Sequence, residues 1–98
     1  MYKNITSQEL EQLIKNENIT VVDVREQDEY QSGHIPGVKN APLSDFPENI
    51  HLIDKSKKNY IVCASGGRSS MACDFLSAQG YDIVNVDGGM TMWKGAIE

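Results

Sequence analysis

The chain reads as an α/β layer protein built on a mainly parallel sheet, and three observations carry that reading. Strand-like apolar runs alternate with helix-like segments along the whole length, the pattern of βα units. The runs Ile19–Val24 and Tyr60–Val62 are β-branched and nearly all apolar, as expected of strands covered on both faces. The residues best suited to chemistry follow directly after such runs, where open α/β sheets place their sites. At 98 residues the length suits one domain over positions 1–98.

Each element follows from its pattern. Thr6-Ser7-Gln8-Glu9 is a capping box, with Thr6 as cap and Glu9 three residues on, and Leu10, Leu13 and Ile14 share one face of the helix behind it. Ile19–Val24 is the first strand. Gln27–Ser32 is a short helical candidate closed by Gly33, and His34-Ile35-Pro36-Gly37 is a turn. Val38–Ala41 suggests a short strand, and Leu43–Ile50 a helix broken at Pro47. Tyr60–Val62 is a buried strand. A helix from Ser69 to Gln79 follows, with Met71, Ala72, Phe75 and Leu76 as its apolar stripe and Gly80 as its stop. Ile83–Val86 is the last strand, Asp87-Gly88-Gly89 a turn, and Met90–Lys94 a short terminal helix.

Cys63 opens the loop Cys63-Ala64-Ser65-Gly66-Gly67-Arg68-Ser69, between a strand and a helix N-terminus. Unpaired amides and the helix dipole favour anions there. A cysteine so placed can have its pKa lowered from about 8.5 into the range of roughly 3.5–7.5. Gly66 and Gly67 are read as positions free to take positive φ, letting successive amides converge on one point. Arg68 either adds positive charge at the rim or pairs with an acid and orders the loop. Ser69 is the candidate N-cap. The alternative for Cys63 is an inert, packed thiol. Arg25 and Asp87, which also follow strands, are expected at the same sheet edge.

Bulk properties exclude several classes. Hydrophobic content of 40% and charged content of 23% suit a globular chain, and no apolar run approaches a membrane span. The N-terminus lacks the features of a secretory leader. A net charge of −5 argues against nucleic acid as partner, and Lys55-Ser56-Lys57-Lys58 reads as a solvated turn. Two cysteines do not make a disulfide framework, which points to a reducing, cytoplasmic compartment. His34, His51 and the cysteines lack metal-ligand spacing, so neither metal nor cofactor is expected.

Three ordered segments resemble rhodanese-like domains. Asp23-Val24-Arg25-Glu26, Glu29-Tyr30, Gly33-His34-Ile35-Pro36-Gly37-Val38 and Asn40-Ala41 are similar to the N-terminal signature of that family. Asp87-Gly88-Gly89-Met90 with Trp93 is similar to the C-terminal one, and the Cys63 loop lies between them like the family's active-site loop. The resemblance implies a central, mainly parallel five-stranded sheet with helices on both faces. It also implies sulfurtransferase chemistry, in which Cys63 becomes a persulfide and the amides from Ala64 through Ser69 cradle it. Donors implied are thiosulfate or a persulfide; acceptors are cyanide, glutathione, a thioredoxin-like protein or another protein thiol. Val38 departs from the common alanine. Ala64 and Ser65 are neutral where thiosulfate-specialised members often carry cations, so thiosulfate need not be the natural donor.

The remaining residues are read as support. Asp23 is expected to accept hydrogen bonds from loop backbone, and Arg25 to pair with Asp23 or Glu29. His34 is expected to bond backbone in its turn, Trp93 to pack against the sheet, and Cys73 to pack in the core rather than resolve an oxidised Cys63. Two other functions stay open: a redox or persulfide-sensing module with little turnover, and an oxyanion enzyme of the phosphatase or arsenate reductase kind. The latter uses Cys-x5-Arg, whereas Cys63 and Arg68 enclose four residues.

Overall fold

Five short strands side by side, all parallel, form the middle layer. The structure is a computed structural model and describes residues 2–98. In chain order the elements are β1 (Lys3–Thr6), α1 (Ser7–Asn16), β2 (Thr20–Asp23), α2 (Gln27–Gln31), β3 (Lys39–Asn40), β4 (Lys58–Val62), α3 (Gly67–Ala78) and β5 (Asp82–Asp87). Single 3-10 turns occupy Leu43–Asp45, Ile50–Leu52 and Gly89–Met92.

The sheet runs β1-β5-β4-β2-β3, which makes β4 the central strand. Its alternate residues bury opposite faces, because side chains on a strand point to opposite sides in turn. Val22, Val24, Ile61 and Cys63 join Ala72, Cys73 and Leu76 of α3 in one core cluster. Val21, Tyr60, Val62, Val84 and Val86 join Leu10 of α1 in the other. Leu10, Ile61 and Leu76 are each fully buried, and such side chains contribute about 1.5–3 kcal/mol apiece.

The α1 start is as expected: Thr6 Oγ1 accepts from the Glu9 amide at 3.0 Å, and Glu9 Oε1 accepts from the Thr6 amide at 2.8 Å. Four expectations need correcting. β1 is an extra strand, paired in register with β5 from Lys3↔Val84 to Thr6↔Asp87; it is a polar edge strand with one apolar residue, so periodicity does not reveal it. Leu43–Ile50 is not a broken helix but two separate 3-10 turns around Pro47. The terminal segment is likewise a 3-10 turn, Gly89–Met92. In α3, Met71 is 63% exposed while Cys73 is fully buried, so the inward stripe is Ser69, Ala72, Cys73 and Leu76. Among the described residues, no helix is long and apolar enough to cross a membrane.

Candidate active site

Cys63 is the first residue beyond the central strand, at the middle of the sheet's carboxyl edge. Arg25 follows β2 on one side and Asp87 ends β5 on the other. The sheet therefore brings together three residues far apart in sequence.

Between β4 and α3 the chain makes one tight turn. Gly66 has φ +106 and caps the helix, a conformation costly for any residue with a Cβ. Gly67 has no positive φ and is the first helical residue; a Cβ there would meet nothing within 4 Å, so only one of the two glycines is needed for backbone shape. Ser69 is not the N-cap. It is the third residue of α3, fully buried, and its hydroxyl is turned to the thiol.

The sulfur sits at the centre of this turn, and Cys63 as a whole is 1% exposed. The Gly66 amide donates to Sγ at 3.0 Å. The thiol donates to Ser69 Oγ at 3.3 Å, and that hydroxyl donates to Gly66 O at 3.2 Å. Burial pushes the Cys63 pKa up, but the Ser69 hydroxyl and the amides of Ser69, Gly66 and Ser65 outweigh it, and the net direction is down from the ordinary value of 9.0. Hydrogen bonds to the charged form produce the lowering. On ionisation the Ser69 hydroxyl can turn from Gly66 O and donate to sulfur instead.

A second strap holds the strand end. Met90 N–H donates to Cys63 O and Thr91 N–H to Ala64 O, both at 2.8 Å. Gly89 lies directly beneath: a Cβ there would press on Cys63 O and stand 2.7 Å from Ala64 O. Ser7 Oγ donates to Gly89 O at 2.7 Å and fixes the turn from the other side. The sequence shows only the Asp87-Gly88-Gly89 turn and not this clamp, for which the adjacent glycines are the one sign.

Both arginines are engaged by carboxylates. Arg25 grips Asp23 through Nε and Nη2, at 2.8 Å for the shortest contact, and donates from Nη2 to Gly33 O at 2.8 Å. Asp23 also accepts the Arg25 amide at 2.9 Å. The pair, with Arg25 7% exposed and Asp23 fully buried, ties β2 to the following loops. Arg68 donates from Nη1 and Nη2 to the two oxygens of Glu29 at 2.6 and 2.8 Å. That contact holds the Glu29 carboxyl well below the carboxylate range, at about 2.

His34 stacks on Tyr30 with centroids 3.8 Å apart, and its Nδ1 lies 2.8 Å from Tyr30 O. Trp93 packs on the α1-side core, donates to Ala96 O at 2.9 Å and lines a cleft with Ile14, Ile35 and Pro36, away from the Cys63 loop. Cys73 is buried and free; burial, then the charges of Asp74 and Cys63, push its thiol up to about 12.

The family model for the rhodanese-like domain matches residues 6–96. The chain belongs to the rhodanese-like domain family. YtwF of Bacillus subtilis, which carries a provisional sulfurtransferase name, is 38% identical over 95% of this chain and 91% of its own length. The thiosulfate sulfurtransferase GlpE of Pseudoalteromonas translucida is 33% identical, with 97% of this chain and 91% of its own covered. A crystal structure of a rhodanese-like domain protein from Staphylococcus aureus matches this rhodanese-like fold with TM-score 0.90 at 39% identity, over 98% of this chain and 96% of that one.

Proposed function

We propose that the chain is a sulfurtransferase that moves a sulfane sulfur from thiosulfate or a persulfide to a thiol or cyanide acceptor through a Cys63 persulfide. The observation that carries this reading is the cradled sulfur: Gly66 N–H at 3.0 Å and Ser69 Oγ at 3.3 Å, with the thiol pKa drawn down.

In the first step the Cys63 thiolate attacks the sulfane sulfur of the donor. A sulfur–sulfur bond forms to Cys63 as the donor's own sulfur–sulfur bond breaks, and the electron pair leaves on sulfite or on a thiolate. Rate in such exchange depends on thiolate fraction and on the leaving group. No general base is required if the thiol is already ionised, and neither histidine bonds to the sulfur among the described residues. In the second step the acceptor attacks the outer sulfur and restores the Cys63 thiolate. The same donors stabilise the resting anion and the persulfide anion.

Two features weigh against the alternatives. A phosphatase-like site would turn its loop arginine toward a bound oxyanion, whereas Arg68 is committed to Glu29. The disulfide-forming version of a redox sensor would need a second thiolate, and Cys73 is raised to about 12; a persulfide sensor is distinguished by Cys63 loading without turnover to any acceptor.

The test is intact-mass analysis after exposure to thiosulfate, then to a polysulfide. Wild type is expected to gain one sulfur atom, confined to the Cys63 peptide, and to lose it on adding cyanide or glutathione. Persulfide transfer surviving in Cys63→Ser would overturn the assignment.

A further inference from the structure

The loop contains a cation that is cancelled at source. Arg68 spends both terminal nitrogens on Glu29, at 2.6 and 2.8 Å, and both side chains remain about one-third exposed at 35%. The other nearby arginine, Arg25, is matched in the same way by Asp23. Two further carboxylates adjoin the loop. Glu26 acts electrostatically on Arg68, and an atom placed at the Cβ position of Gly66 would lie 3.5 Å from Asp87 Oδ1. Neither is in an ion pair among the described residues. The mouth of the site is thus neutral to acidic, although its loop carries an arginine. The hydrogen bonds of the cradle serve one thiolate, but the loop arginine, already paired with Glu29, offers no free charge to offset a dianion.

We infer that Glu29 is a specificity-determining residue: by neutralising Arg68 it turns the site away from donors whose reacting group is doubly charged, such as thiosulfate, and toward persulfides of thiols, whose reacting group carries at most one charge. This inference rests on the sulfur-transfer reading. With such a donor the Cys63 thiolate attacks the terminal sulfur of R–S–SH. The Cys63–sulfur bond forms, the donor sulfur–sulfur bond breaks, and R–S⁻ departs with the electron pair while the proton stays on the transferred sulfur. With thiosulfate the same attack expels sulfite, and three negative charges are gathered in the cradle.

The variant Glu29→Gln tests this with little damage to the local fold. The amide oxygen still accepts the Glu26 N–H that caps α2, now bonded to Glu29 Oε1 at 3.0 Å, while the negative charge is gone. Persulfide loading of Cys63 is followed by mass with two donors, thiosulfate and an alkyl persulfide that bears no charged group besides the persulfide itself. The ratio of kcat/KM for thiosulfate to that for the persulfide is expected to rise about tenfold in Glu29→Gln. The gain should shrink as salt is raised, and adding Arg68→Gln should abolish it, because the freed cation is its cause. A parallel fall with both donors, or an unchanged ratio, would overturn the inference and leave the pair a structural tie. Wild type that prefers thiosulfate would overturn it as well, without touching the transfer mechanism. Wild type that loads from neither donor would overturn the sulfur-transfer reading itself.

Discussion

Cys63 and Cys73 stand ten positions apart, belong to the same core cluster, and are 1% and 0% exposed. Yet their thiols are driven in opposite directions: Cys63 below its ordinary value and Cys73 up to about 12. Burial penalises the thiolate at both. The difference is supply of donors. Cys63 sits at the open N-terminus of α3, where the amides of Ser65, Gly66 and Ser69 and one hydroxyl are available. Cys73 lies inside the same helix, where backbone amides are committed to the helix ladder, and its charged neighbours are negative. Depth does not decide whether a cysteine is reactive; unpaired N–H groups aimed at it do.

The largest effect expected of any substitution contrasts the two directly. Cys63→Ser should abolish persulfide loading, and Cys73→Ala should leave the loading rate unchanged while lowering stability by about 1 kcal/mol; mass analysis and urea unfolding check the pair. A loss of loading in Cys73→Ala would break the comparison.

Gly89→Ala should be the most damaging substitution to the fold among the loop-supporting residues, costing on the order of 3 kcal/mol. Its Cβ would fall on the backbone of Cys63 and Ala64, where the Met90 and Thr91 amides strap the strand end. The urea midpoint measures it, and a shift below a few tenths of a molar would contradict the clamp.

The pH dependence of stability has opposite signs for the two thiols. Between the lowered pKa of folded Cys63 and the ordinary 9.0, the unfolded chain holds a proton the folded one has lost, so stability rises with pH; the contribution is full above 9.0 and disappears as pH falls through the folded value. For Cys73 the folded chain keeps its proton between 9.0 and about 12, so stability falls there by about 1.4 kcal/mol per pH unit. Unfolding of Cys73→Ala across that range should lack the alkaline decline. A decline that persists undiminished would assign it elsewhere.

Ser69→Ala should act on Cys63 alone and more mildly. It removes one donor to a charged sulfur, worth about 1.5–3 kcal/mol, so the Cys63 pKa should rise by about 1 unit or more with the fold intact. An unchanged pKa would show that the amides act alone.

Much of this was legible beforehand, for physical reasons that also explain the gaps. β2, β4 and β5 announce themselves because strands covered on both faces carry β-branched, mostly apolar runs, here Val21-Val22, Tyr60-Ile61-Val62 and Ile83-Val84. β1 is hidden because an edge strand owes its existence to pairing with β5, not to its own composition. Spacing puts Met71 on the apolar stripe of α3, but it is exposed and Ser69 takes the inward place at the N-terminal turn, while Cys73 packs in the core as expected. At the site, Cys63 and its loop are local in sequence and easily read. The Arg68–Glu29 pair spans 39 positions and the Gly89 clamp 26 from Cys63 to Gly89; both are tertiary contacts that no local pattern encodes.

The most direct measurement is the rate of iodoacetamide alkylation at each cysteine as a function of pH, resolved by peptide mass. The account predicts that Cys63 reacts with a midpoint well below 9.0 while Cys73 stays unmodified past that pH. A Cys63 midpoint at or above 9.0 would mean that the amides and the Ser69 hydroxyl do not hold the thiolate, and the proposed chemistry would lose its foundation.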